Sequence, residues 1–246
     1  MYDAVDYIAA LDAAEELPSP FDDGAIDDES TTYGEFPFSF LAALLDDINP
    51  PSNAYFMDLG SGRGQISLAV SRIRAWRGCG GVELLPELHC IAVEAQRVVS
   101  SQQLDRNVEP PEANTQSQEG VKSDVTTNVI SECEFSFKLG DMYSTDISAI
   151  EAPFEKDSSP LVVFVYATCL EVDANGDLQK LTDALADLPK GTTVITVNRP
   201  LATHPSDSDS GAESPMFVLL RAFKGPNPEV NGYEQHSTAF IWIKET

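Results

Sequence analysis

Basic residues are scarce: 15 Lys and Arg stand against 40 Asp and Glu, a formal net charge of −25. Such a surface repels DNA, RNA and anionic lipid at long range, so neither direct nucleic-acid contact nor membrane contact is expected. It suits solubility alone or a basic partner. Long apolar runs are also missing. None reaches the roughly 18 residues of a membrane span, and residues 1–17 carry acids but no Lys or Arg, unlike a secretory signal. Retention inside the cell is the expectation. Cysteine is limited to Cys79, Cys90, Cys133 and Cys169, with no CxxC pair and no metal spacing to a histidine. Reduced, mostly buried thiols are expected, and no metal site. No repeat of fixed period is visible.

What is present is an ordinary globular core: 42% of 246 residues are apolar, enough for one sizeable α/β domain. Residues 1–30 hold ten acids and no bases and form a separate acidic segment, partly helical over Asp3–Leu17 by the spacing of Tyr2, Val5, Ile8 and Leu11. The main domain is expected over 31–244. Phe36, Phe40, Leu41, Leu44, Leu45 and Ile48 share one face of a helix that stops at Asn49-Pro50-Pro51. Strands are predicted at Ala54–Leu59, Gly80–Leu84, Phe135–Leu139, Leu161–Tyr166, Thr192–Val197, Met216–Phe223 and Thr238–Lys244. Helices are predicted at Gln65–Arg74, from Pro86 to about Leu104, and at Leu178–Leu188. Two polar, proline-bearing stretches, 107–131 and 205–215, read as mobile insertions. Alternating strands and helices imply a mostly parallel sheet covered on both faces, and two final strands without a helix between them imply an antiparallel C-terminal hairpin. The fold class is α/β and Rossmann-like.

The strongest chemical signal is Asp58-Leu-Gly-Ser-Gly-Arg-Gly-Gln65, which follows a strand and opens a helix. Gly60, Gly62 and Gly64 let backbone approach a ligand, and the helix start offers free N–H groups. The spacing is GxGxG, whereas a dinucleotide turn uses GxGxxG to seat a pyrophosphate. S-adenosylmethionine (SAM) has no phosphate and carries an ammonium as well as a carboxylate, and Asp58 stands beside the loop that would face it. Glu83 ends the next strand, where an acid accepts both ribose hydroxyls, with Leu84 following. After the third strand, Asp141 is placed to bond an adenine amino group and Met142 to lie against the ring. Read blandly, Asp58 is a turn cap, Glu83 a solvated strand end and Asp141 a simple turn residue.

These residues bring a resemblance into view. Thr32-Tyr33-Gly34-Glu35, the turn from Asp58 to Gln65, Gly81–Leu85, Gly140-Asp141 and Val163–Val165 resemble the DOT family (disruptor of telomeric silencing), histone lysine methyltransferases that lack a SET domain. Pro86–Ala92 and Thr193–Pro200 resemble a divergent protist-type branch. The resemblance runs in blocks from about Thr31 to Lys244, and it implies a SAM-dependent methyltransferase fold. It implies that Tyr33 and Glu35 lie in a loop folded over SAM, that Asp58, Gly60, Ser61, Gly62, Gly64 and Gln65 form the SAM turn, and that Glu83, Asp141 and Met142 hold ribose and adenine. It also implies a basic protein such as a histone as acceptor, and a cytoplasmic or nuclear location.

The chain departs from that family where the acceptor would sit. A pair of asparagines expected after the fourth strand is replaced by Tyr166-Ala167-Thr168-Cys169, and Tyr233 is the nearest counterpart of a tryptophan near the last hairpin. The DNA-holding basic segments of nucleosome-binding members are missing. Tyr33, Tyr166, Thr168 and Tyr233 are the candidates for the wall of an acceptor channel, although each suits plain core or rim as well. No general base stands out. Three functions therefore stay open: transfer to a protein lysine, transfer to a small molecule or other acceptor, and a SAM-binding pseudo-enzyme whose acidic surface binds a basic partner. An NAD-dependent oxidoreductase is disfavoured by the glycine spacing.

Overall fold

The computed structural model describes residues 36–106, 133–144, 159–204, 215–227 and 236–246. The acidic segment 1–30, Tyr33, Glu35, Tyr233 and the insertion 107–131 lie outside the described residues, as does nearly all of 205–215.

Phe38–Ile48 forms helix α1, with Phe40, Leu41, Leu44 and Leu45 buried along one face. Asn49 ends it in the left-handed region at φ 42°, its N–H donating to the Leu45 carbonyl, and the following prolines cannot extend it. Arg74 secures this end: its guanidinium donates to the Leu45 carbonyl at 2.7 Å and to the Asn49 side chain at 2.8 Å, a cation where the helix exposes its last carbonyls.

The strands are β1 (Tyr55–Leu59), β2 (Gly78–Glu83), β3 (Glu134–Leu139), β4 (Leu161–Tyr166), β5 (Thr193–Val197), β6 (Phe217–Pro226) and β7 (His236–Lys244). Among the described residues they make one seven-stranded sheet in the order β3-β2-β1-β4-β5-β7-β6. The first five run parallel, while β7 pairs antiparallel with both β5 and β6. This is the sheet the alternation predicts, closed by the expected hairpin. The chain reverses its direction of travel across the sheet between β1 and β4, the crevice where open α/β sheets bind ligands.

The central strands are apolar throughout because both faces are covered. Phe56, Ala54 and Val163 are fully buried. On one face Phe56 meets Trp76 edge-on at 5.5 Å and Phe164 at 6.4 Å; each such side chain removed from water stabilises the fold by about 1.5–3 kcal/mol. The Trp76 indole N–H donates to the Val70 carbonyl, so its polar edge is satisfied.

Three helices complete the frame: α2 (Gln65–Ile73), α3 (Pro86–Arg106) and α4 (Gln179–Ala184). Helix α4 is shorter than the Leu178–Leu188 pattern implies. Its last turn opens after Ala184, and Leu185 and Leu188 remain buried from irregular backbone. Burial of an apolar side chain does not require the helix to continue. Strand β6 runs three residues beyond Phe223, through Gly225, where any side chain would strike the Phe40 ring of α1. No helix of the described residues is long and apolar enough to cross a membrane. All four thiols are free; Cys79 and Cys133 are buried as expected, whereas Cys90 and Cys169 are exposed.

Candidate active site

The site is built at the carboxyl ends of β1, β2, β3 and β4. The chain leaves β1 through Gly60, Gly62 and Gly64, at φ +80°, +53° and +77°. These are left-handed values that a side chain disfavours. The turn is stitched to the neighbouring strand, since the N–H groups of Gly60 and Ser61 both donate to the Val82 carbonyl, at 2.9 and 3.0 Å. Gly64 opens α2, and a methyl there would lie 2.8 Å from the Phe137 ring.

Glu83 is the hub. It is 93% buried at the end of β2, with 7% of its surface exposed. One carboxylate oxygen accepts the Gly62 N–H at 2.7 Å and the other accepts the Leu85 N–H at 2.8 Å. The side chain thereby ties the glycine turn to the start of α3, and each oxygen keeps a second lone pair for a ligand hydroxyl. Beside it, Asp58 is buried in the middle of the sheet. Loss of water, and then the charge of Glu83, push the Asp58 carboxyl well above the ordinary carboxylate range. A ligand cation near this end would relieve both penalties.

Beyond β3, Asp141 accepts the Tyr143 N–H at 2.9 Å and orders the turn. Met142 reaches back, its Cε 3.3 Å from where a side chain on Gly60 would start. Leu84 and Leu139, 53% and 46% exposed, offer apolar surface on either side of Glu83. Tyr143 closes this side under Lys180 of α4, whose Nζ lies 4.1 Å from the ring centre. Burial, then the charges of Asp141 and Glu171, raise its phenol.

The residues present fit SAM. The Ser61 hydroxyl is buried and has no hydrogen-bond partner among the described residues, as a group reserved for a ligand would be. Two lone pairs on Glu83 suit a ribose diol, exposed leucines suit an adenine ring, and buried Asp58 suits an ammonium-bearing tail.

The structure thus brings together Asp58, Gly60, Ser61, Gly62, Gly64, Gln65, Glu83, Leu84, Asp141 and Met142. Of the residues read as an acceptor wall, Tyr166 ends β4 one residue past the pair Leu59 and Val165, and Thr168 follows in the next turn. Five further residues had no clear signal in the sequence. Gly81 is required because any side chain there would overlap Ser61; Leu139 pairs with Glu83 and the Tyr143 N–H bonds Asp141; Asn198 and Asn227 donate to the Thr168 and Tyr166 hydroxyls.

Sheet order, glycine turn and acidic strand end together define the class: a SAM-dependent methyltransferase with a Rossmann-like fold. Within it, residues 27–138 match the family model described as Histone methylation protein DOT1, a stretch that runs through the glycine turn and Glu83 and ends within β3. Among solved structures, a proposed RNA methyltransferase from Pyrococcus horikoshii aligns with TM-score 0.50 at 10% identity, over 98% of both chains. An RNA methyltransferase from Salinibacter ruber, solved with S-adenosyl-L-homocysteine, aligns at 0.47 and 18% identity, over 86% of this chain and 94% of that one. A proposed methyltransferase from Escherichia coli gives 0.45 and 14%, over 88% and 90%. No curated protein matches the chain.

Proposed function

We propose that the chain transfers a methyl group from SAM to a lysine amine of a basic protein, with histones the first candidates. Support for the cofactor rests on one observation above all: buried Glu83 holds the glycine turn and the α3 start while retaining two acceptor positions. Support for the acceptor comes from the DOT1 match over 27–138 and from a net charge of −25.

When bound, SAM would supply a methyl on a positively charged sulfur, already reactive toward an acceptor lone pair. The chain's own residues then have three tasks. Glu83, the glycine turn and the apolar Leu84 and Met142 fix the cofactor's orientation. Asp58 answers the ammonium of its tail. Tyr166, Thr168 and the ring of Phe36, 5.4 Å from the Tyr166 ring, shape the approach of the nucleophile, where alignment and exclusion of water are most of the catalysis. A lysine must arrive neutral, and an apolar approach favours loss of its proton to solvent. Tyr33, Glu35 and Tyr233 are proposed to complete the site. Cytoplasm or nucleus is the proposed location, without direct nucleic-acid binding.

Calorimetric titration with S-adenosylhomocysteine, with NAD as control, tests the cofactor. Micromolar binding of the former alone is expected; NAD binding, or none at all, would overturn the reading. Transfer of labelled methyl from SAM to core histones, and not to small amines, tests the acceptor. Methylation of small nucleophiles alone would point to the small-molecule reading. A cofactor-binding protein without turnover is a second reading, favoured by the absence of amide side chains from Tyr166-Ala-Thr-Cys169, and cofactor affinity without transfer to any acceptor would be its signature.

A further inference from the structure

We propose that the exposed stretch of β6 around Leu219 and Leu220 is the docking site of the chain's own acidic segment, with the apolar stripe Tyr2, Val5, Ile8 and Leu11 laid on the two leucines and the flanking acids facing Arg221 and Lys224. This surface stands at the edge of the sheet, separated from the glycine turn of β1 by β4, β5 and β7, and its occupant is independent of the methyltransferase reading.

Strand β6 is the last of the sheet among the described residues. Phe217 and Gly225 near its ends are buried, but its middle is not: Leu219 is 44% and Leu220 59% exposed, and Arg221, Ala222 and Lys224 are exposed beside them. Single exposed leucines are ordinary. Two in succession on an edge strand are what native sheets avoid unless something covers them. The strand also reverses the charge of the chain. Phe217–Pro226 holds two bases and no acid, in a chain with 40 acids and 15 bases.

Residues 1–30 carry the complement: ten acids, no base, and apolar residues at helical spacing near their start. A short amphipathic helix is marginal in water unless its apolar face is covered. The chain also enters the fold beside this strand. Helix α1, the first described element, lies along β6, with Phe40 against Gly225 and Asp47 bonded to Arg221. From Gly225 to Leu220 is about 17 Å of strand, and residues 18–35 can span up to roughly 60 Å. A tethered segment in that range meets its site at about millimolar effective concentration, so modest contact suffices. Arg221 keeps 57% of its side chain exposed while it bonds Asp47, which leaves guanidinium donors for a second acid.

The strand itself selects this occupant over a second copy. Its register with β7 shifts between Leu219 and Arg221, which spoils the ladder that another strand would extend. A helix packs on side chains and needs no ladder. A second copy would also bring a further charge of −25 against the first.

Photo-crosslinking of the full chain tests the contact. p-Benzoylphenylalanine in place of Leu220 should join residues 2–17 of the same chain, as read by mass spectrometry on a mixture of heavy-isotope and unlabelled protein. The same probe in place of Val98, exposed on α3, should not join them. Ile8→Asp combined with Leu11→Asp, which removes the stripe without touching the sheet, should lower the yield from position 220 about tenfold. Products joining heavy to light chains would overturn the docking and make β6 a self-association surface. No product with residues 2–17, an equal yield from position 98, or an unchanged yield in the double variant would overturn it as well.

Discussion

Glu83 and Asp58 are two buried carboxylates on adjacent strands, and their environments set them apart. Glu83 is balanced by two backbone N–H donors, whereas Asp58 is raised by burial and by its neighbour. Glu83→Ala should therefore both lose the ribose contacts and release the glycine turn, weakening S-adenosylhomocysteine more than about 100-fold. Gly62→Arg should abolish binding by filling the turn. Circular dichroism should show both variants folded, and full affinity in both would contradict the site. Asp58→Asn should act in two directions. Because the folded carboxyl is raised, its favourable contribution to stability is complete below the ordinary carboxylate value and is lost as pH rises through the raised one. At neutral pH the variant should accordingly melt higher, by about 2–4 °C per kcal/mol of relieved charge burial, and that gain should vanish in acid. It should also weaken S-adenosylhomocysteine, because the amide no longer offers a carboxylate to the cofactor ammonium, and calorimetric titration reads that loss.

At the scale of elements, the glycine turn and β2 behave as one unit. Gly81 has no room for a side chain because Ser61 lies over it. Gly81→Ala should push the turn away from Val82 and weaken S-adenosylhomocysteine at least tenfold, and the double change with Ser61→Gly should recover part of the loss. No recovery would mean that β2 itself is distorted. This pairing also marks the limit of what patterns reveal. The parallel strands were legible because buried strands are continuous apolar runs, and the candidate cofactor residues could be proposed because Asp58, Gly60, Gly62, Gly64 and Glu83 fall at strand ends in a recurring order. The close approach of Gly81 to Ser61 depends on strand packing, which leaves no periodic trace. The bonds from Asn198 to Thr168 and from Asn227 to Tyr166 were hidden for the same reason, since each joins residues far apart in sequence. The early end of α4 likewise leaves no trace in the pattern, whereas the helix from Pro86 to about Leu104 was legible and is α3.

Across the whole molecule, the charge of −25 acts at long range. Core-histone association should weaken steeply between about 50 and 200 mM salt, and duplex DNA should show no mobility shift even at the lower value. Salt-independent histone association would take the acidic surface out of the recognition step. Edge strand β6 is tethered to α1 through Arg221 and Asp47, and its pairing with β7 is interrupted between Leu219 and Arg221, an irregularity that makes an exposed edge a poor template for other chains.

The match to the DOT1 model ends at residue 138, before β4 begins. The glycine turn and Glu83 fall inside it, whereas Tyr166 and Thr168 fall beyond it. Under the proposed reading, substitutions in the last third of the chain would redirect the acceptor while the cofactor stays the same.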